Sequence, residues 1–182
     1  MFTQNTYGIQ GVMIQMFSHG INIIGLWIVV EWIERNTGTR KISELGGLAQ
    51  TAPALIFFLV IIALANIALP LTNAFVGEFL IFNGILTSYT KYYVWFTVLA
   101  GICIILGAVY TLNMIRKIAY GNTNELTNKV IDIKWNEKLA LGIIVVLIIA
   151  FGIFPQPMLN LTSDLTDSIV NKFEMLRHIA PK

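Results

Sequence analysis

Two residues in this sequence combine an ionisable side chain with apolar surroundings. Glu78 is the sole charged residue between Glu44 and Lys91, inside a long apolar stretch that begins near Thr51. His19 stands in the middle of another such stretch, within Gln15-Met16-Phe17-Ser18-His19-Gly20-Ile21-Asn22. A carboxylate in hydrocarbon is costly unless it has a partner, water or a proton to carry. Imidazole titrates closest to physiological pH, so a histidine at that depth suits the same task. The chemistry open to this pair is proton transfer. Each also has a plainer reading. Glu78 could be half of a permanent ion pair with a Lys or Arg of another helix, and His19 a neutral ring hydrogen-bonded to Ser or Asn between two helices.

The residues around Glu78 sharpen its case. The run Ala68-Leu69-Pro70-Leu71-Thr72-Asn73-Ala74-Phe75-Val76-Gly77-Glu78-Phe79 places a helix breaker, two polar residues and a glycine just before the acid. Pro70 cannot continue the hydrogen-bond ladder of the preceding helix. Thr72 or Asn73 can cap a new one, which puts Glu78 in the first turns of a second half-helix. There burial favours the acid form while the helix N-terminus favours the carboxylate. Interrupted helices beside ionisable groups are a common way for membrane proteins to build ion and proton sites.

Other polar residues fall into supporting places. Gln15, His19 and Asn22 are spaced i, i+4 and i+7, on one helical face, with Ser18 beside them. Asn66 and Asn83 lie in the two halves of the interrupted unit and Asn113 in the following span. They could line a hydrated path, although such residues more often join helices by hydrogen bonds. Glu31 and Lys91 lie at span ends, where they can snorkel. Tyr110 reads as packing, and Gly101 and Gly107 as sites of close helix approach. The sequence holds no phosphate loop or nucleophile elbow. With one Cys and two distant His, it has neither an internal disulfide nor metal-ligand spacing.

The elements that must position these residues follow from composition. Of 182 residues 56% are hydrophobic and 12% charged, and the mean hydropathy is +0.72. A soluble domain carries roughly 25% charged residues, so this chain reads as an all-α membrane protein. The net charge of +2, with basic residues confined to loops, gives no reason to expect nucleic acid as a partner. Membrane lipid is the expected surrounding. A single transmembrane unit is expected over 1–182, with four crossings at about 8–33, 52–90 (broken near 69–75), 93–115 and 139–157, and a surface tail at 158–182. The first span lacks the basic start of a cleaved signal peptide.

As one straight helix the 52–90 unit would be about 58 Å long against a hydrocarbon core of about 30 Å. Basic residues choose between one broken crossing and two spans. Arg35, Arg40 and Lys41 fall in one loop, Arg116, Lys117, Lys129, Lys134 and Lys138 in another, and only Lys91 in the link between them. One broken crossing puts both basic loops on the inner side, as the positive-inside rule requires, and both termini outside. The tail, with Leu161, Leu165, Ile169, Phe173 and Leu176 between polar residues, fits an interfacial amphipathic helix.

The same segments carry a family resemblance. Gly8-Ile9-Gln10-Gly11 with Gln15-Met16-Phe17-Ser18-His19-Gly20, Thr39-Arg40-Lys41-Ile42 with Gly46-Gly47-Leu48, Leu69-Pro70 leading to Phe75-Val76-Gly77-Glu78-Phe79, and Gly152-Ile153-Phe154-Pro155-Gln156-Pro157 resemble the antiporter-like membrane subunits of proton-pumping NADH:quinone oxidoreductase, respiratory complex I. The glutamate of Gly77-Glu78-Phe79 resembles the M type rather than the L type, where lysine is usual. The resemblance implies a fold of about fourteen transmembrane helices with two inverted repeats of five, of which this chain resembles the last four. It implies proton-relay roles for Glu78 and His19, the former on a route toward the outside, with Ser18, Asn22, Asn66, Pro70, Thr72, Asn73 and Asn83 lining or supporting the path. It also implies proton translocation driven by quinone reduction elsewhere, no cofactor or metal in this chain, the other membrane-arm subunits as partners, and a bacterial plasma membrane location. The family's upstream lysines have no counterpart here, and Met1 falls where family sequences are mid-protein, so a fragment or a split gene is expected, with the upstream half as a further partner. A subunit of a multisubunit cation/proton antiporter and a structural membrane anchor are the alternatives.

Overall fold

The computed structural model of the chain describes residues 5–88 and 91–179, and every regular element among them is helical. The expected limits at 89–90 and 180–182, Met1, and the side chain of Leu176 lie outside the described residues. Helix α1 (Thr6–Thr37) starts where the Asn5 side chain accepts a hydrogen bond from the Gly8 N–H at 2.9 Å. It ends at Gly38, whose φ of 74° supplies the left-handed C-cap. After a single turn, α2 (Leu48–Thr51), come α3 (Pro53–Asn66) and α4 (Asn73–Leu86), then α5 (Tyr93–Ala119), α6 (Trp135–Ile153) and α7 (Gln156–Ile179). Among the described residues α1, α5 and α6 are long and apolar enough to cross a membrane, while α3 and α4 are shorter apolar helices of 14 residues each.

Helices α3 and α4 lie end to end along α1 and antiparallel to it. Gly25 of α1 faces Ile62 of α3, Ser18 faces Asn73, Gly11 faces Ile81, and Asn5 reaches Gly84. Between them, residues 67–72 leave the helix. The Leu69 N–H reaches back to the Leu64 carbonyl, and Ala68 and Leu71 hold φ values of 56° and 76°. These L-residues in the left-handed region each cost of order 1–3 kcal/mol, so packing must hold them there. Part of that packing is α6: a Cβ at Gly152 would collide with the Leu71 carbonyl.

Close approach of α1 and α4 rests on glycines other than the expected ones. A Cβ at Gly84 would lie 2.5 Å from Gly8 Cα, and one at Gly11 would lie 2.7 Å from the Ile81 nitrogen. At Gly101 nothing lies within 4 Å, and at Gly107 only Tyr110 of its own helix does, at 3.9 Å. Those two glycines bring no neighbouring helix close and leave space open beside α5.

One end of the bundle gathers both basic loops. The Gly47 N–H donates to the Tyr120 carbonyl at 3.1 Å, Gln50 Nε2 to the Gly121 carbonyl at 3.0 Å, and Asn124 Nδ2 to the Glu44 carbonyl at 2.7 Å. Asp132 accepts from the N–H groups of Ala54, Leu55 and Ile133 at 2.9, 3.2 and 2.8 Å. It thereby satisfies the exposed first turn of α3, where Pro53 has no N–H to offer. Ion pairs Arg35–Glu137 and Arg40–Glu34, each at 2.5 Å, close the same end. The Thr39 hydroxyl, then Lys41, hold the Glu44 carboxyl below its usual range. The apolar core lies beneath, with Val29, Trp32, Leu55, Ile62, Leu141 and Ile148 all buried.

The last apolar helix runs from Trp135 to Ile153, against an expected 139–157, because Pro155 and Pro157 open the next helix rather than close this one. Helix α7 packs on α1, burying Met158 and Thr166 and leaving Leu161 and Leu165 exposed. Ile169 and Phe173 are half-buried. The expected apolar stripe is thus divided between an outward and an inward face.

Candidate functional site

Helix α4 carries two polar faces. The first meets α1. Ser18 Oγ donates to the Asn73 carbonyl at 3.2 Å and Asn73 Nδ2 donates to the Ser18 carbonyl at 3.3 Å. Thr72 sits at the N-cap position, but its hydroxyl donates back to the Leu69 carbonyl at 2.6 Å, so it ties the non-helical step rather than capping α4. Asn22, at 0% exposure, has neither amide atom hydrogen-bonded, and Gln15 Oε1 is buried without a partner beside Gly77. Buried amides of this kind are usually met by water. Asn22 lies between the levels of Ser18 and Gly25, opposite the 67–72 step.

The second face carries Glu78. A helix advances 100° per residue, so with Gly77 against α1 the next side chain turns toward α5. Glu78 is half-buried and lines a cleft of about 250 Å³ with Asn66, Ile67, Cys103, Ile104, Gly107 and Tyr110. Among the described residues no Lys, Arg or His lies within ion-pair distance of Glu78, and its carboxylate accepts no hydrogen bond from them. The permanent ion pair of the plainer reading is not formed among the described residues. Glu78 is the sixth residue of α4. The helix-terminal field falls off within the first turn, so it bears on Glu78 less than the position after Pro70 suggests.

The remaining expected residues are placed as follows. Asn66 joins Glu78 in the cleft. Pro70 is exposed in the non-helical step. Asn83 is half-buried and does not line the cleft. His19 is exposed on the outer side of α1. The face turned to α4 carries Gln15, Ser18 and Asn22 instead; i, i+3 and i+7 share a face as well as i, i+4 and i+7 do, so spacing alone does not choose between Ser18 and His19. Glu78 and His19 therefore do not meet within this chain. The side chains on the far wall of the cleft, Cys103, Ile104 and Tyr110, could not be singled out beforehand. An apolar run such as α5 does not say which of its faces turns toward a neighbour.

Comparison with known proteins places this geometry among known folds. Residues 1–105 match the family described as NADH:quinone oxidoreductase/Mrp antiporter, transmembrane. The chain is 34% identical over 177 residues to NADH-quinone oxidoreductase subunit M of Rickettsia felis, covering 95% of the chain and 34% of that protein. It is 34% identical over 169 residues to NAD(P)H-quinone oxidoreductase chain 4 of Acaryochloris marina, covering 90% and 32%. In structure it is similar to a chain of respiratory complex I from Thermus thermophilus with bound NADH, with TM-score 0.81, 25% identity, and coverage of 93% of this chain and 35% of the other. The chain spans about a third of the length of the relatives it matches.

Proposed function

Because the chain belongs to the NADH:quinone oxidoreductase/Mrp antiporter transmembrane family, we propose that it forms part of a proton-translocating membrane subunit of NADH:quinone oxidoreductase, with Glu78 as a proton-carrying group. The observation that carries this reading is a half-buried carboxylate in an apolar bundle, open to a cleft and without a cation partner among the described residues. A permanently paired structural acid has no need of such a cleft. An acid that gains and loses a proton does.

In this reading α3 and α4 together make one interrupted crossing, α1, α5 and α6 make the other three, and the joined basic loops face the inner side of a bacterial plasma membrane with both termini outside. Asn66 supports water beside the carboxylate, while Ser18, Asn73, Thr72 and Pro70 hold the interruption, and Asn22 and Gln15 hold water behind it. His19 faces outward toward a part of the assembly beyond these helices, and Asn83 supports α4 farther along. The chain itself carries no redox centre or cofactor. Quinone reduction elsewhere supplies the energy, and the partners are the other membrane-arm subunits together with the segment matching the remaining two-thirds of the relatives.

The test is Glu78→Gln in the assembled complex. NADH-driven proton translocation should fall about tenfold or more, as removal of a positioned proton-transfer group does, while the complex still assembles. Unchanged pumping would leave Glu78 a structural residue. The family description also covers cation/proton antiporters. Transport driven by a sodium gradient, without NADH or quinone, would favour that membership instead.

A further inference from the structure

Tyr110, which lines the cleft beside Glu78, borders more than that cleft. The same ring lines a second cleft, of about 360 Å³, with Ile42, Ser43, Leu45, Asn113, Met114 and Lys117. This second cleft belongs to the basic-loop end, since Ile42, Ser43 and Leu45 lie in the loop after α1 and Lys117 in the last turn of α5. Tyr110, Asn113 and Lys117 are spaced i, i+3 and i+7, along one face of α5. From Gly107, at the level of Glu78, to Lys117 the rise is about 15 Å. Asn113 Oδ1 accepts from Arg116 Nη2 at 3.0 Å, which leaves its amide N–H groups free to meet water in the path. Tyr110 is 67% exposed, and its ring is the one side chain common to both linings.

We propose that the two clefts form one hydrated path by which Glu78 exchanges protons with the basic-loop face, with Tyr110 as the joint between them. This rests on the reading of Glu78 as a proton carrier, and departs from the outward route that the family resemblance implies for it. A proton leaves hydronium at the Ser43–Lys117 mouth and passes along water to the phenol. The phenol oxygen takes it, and its own proton moves to the water on the Glu78 side, so tyrosine stays neutral. The chain of transfers ends with an O–H bond formed on the Glu78 carboxylate and water restored at the mouth.

Cys103 provides the probe, because it is the sole cysteine of the chain and lines the inner cleft. Oriented vesicles holding the assembled complex are treated with a membrane-impermeant, sulfonate-bearing methanethiosulfonate from either side, and the mass of this chain is read, with Cys103→Ser as the unlabelled control. Modification should occur from the basic-loop side and be about tenfold slower from the other, the ratio that 1.4 kcal/mol of access penalty corresponds to at 25 °C. Asn113→Trp should slow it by a similar factor. Tyr110→Phe should leave labelling unchanged while lowering NADH-driven pumping about threefold or more, as loss of a relay hydroxyl would. Labelling only from the opposite side, equally from both or from neither overturns the path, as does full pumping by Tyr110→Phe. Labelling of Cys103 does not depend on what Glu78 does. A failed path with a proton-defective Glu78→Gln therefore removes this inference alone, and a normal Glu78→Gln removes the reading beneath it.

Discussion

At the scale of the residue, Glu78 was legible because a lone charge in 46 residues between Glu44 and Lys91 needs a reason. What surrounds it was not. Tyr110 and Cys103 become part of its setting only once the rotation of α5 about its own axis is known. Asp132 was passed over for a related reason. Its partners Ala54 and Leu55 lie 78 and 77 residues away, and no local pattern announces a non-local cap. The structure assigns it a mechanical duty, so Asp132→Ala should destabilise the folded chain by about 1–2 kcal/mol, the range for a lost helix cap. Thermal unfolding in detergent would measure this, and an unchanged midpoint would mean that water replaces the carboxylate. The loop residues Thr39 and Lys41 act differently, stabilising the ionised form of Glu44.

At the scale of the element, the interruption after α3 could be read from Pro70, and the helical ends from Asn5 and Gly38, because each is a local conflict or a local cap. Which glycines bring helices together could not be read locally. Gly101 and Gly107 have the expected spacing in an apolar helix, yet Gly8, Gly11, Gly25, Gly77 and Gly84 are among those facing a neighbouring helix. The residue on which α6 meets the interruption is Gly152, where even a methyl group has no room. Gly152→Ala should cost about 1–3 kcal/mol, as overpacking does, and it should do so by displacing Leu71. Faster proteolysis or hydrogen exchange at residues 67–72 would report it. A substitution felt only as a general loss of stability, with that segment unaltered, would place the strain elsewhere.

At the scale of the molecule, the all-helical membrane class followed from a charge content too low to cover a soluble surface together with several apolar runs of about 20 residues. The amphipathic stripe expected of the tail falls on a helix that packs on α1. Its period is helical, but α7 turns Ile169 and Phe173 partly inward and Leu161 and Leu165 outward, a choice made by its contact with α1. The outer position of His19 is of the same kind. The chain spans about a third of the length of the relatives it matches, and in the proposed reading His19 faces groups outside it. Reconstituted alone in liposomes, it should show no NADH- or gradient-coupled proton transport above that of empty vesicles. A coupled flux would mean that Glu78 needs no groups beyond this chain.

The left-handed conformations of Ala68 and Leu71 have a consequence for biogenesis. Pro70 by itself would kink a helix without undoing two turns of it. Helices α3 and α4 enter the membrane before α6 has been synthesised, so at that moment nothing presses on the Leu71 carbonyl. The non-helical step would then be held only by Pro70, Thr72 and the Ser18–Asn73 hydrogen bonds, and would gain its last constraint when the final apolar helix docks through Gly152. A translocation-arrested chain ending before Trp135 should therefore exchange its amide hydrogens faster at residues 67–72, beside which Glu78 is placed.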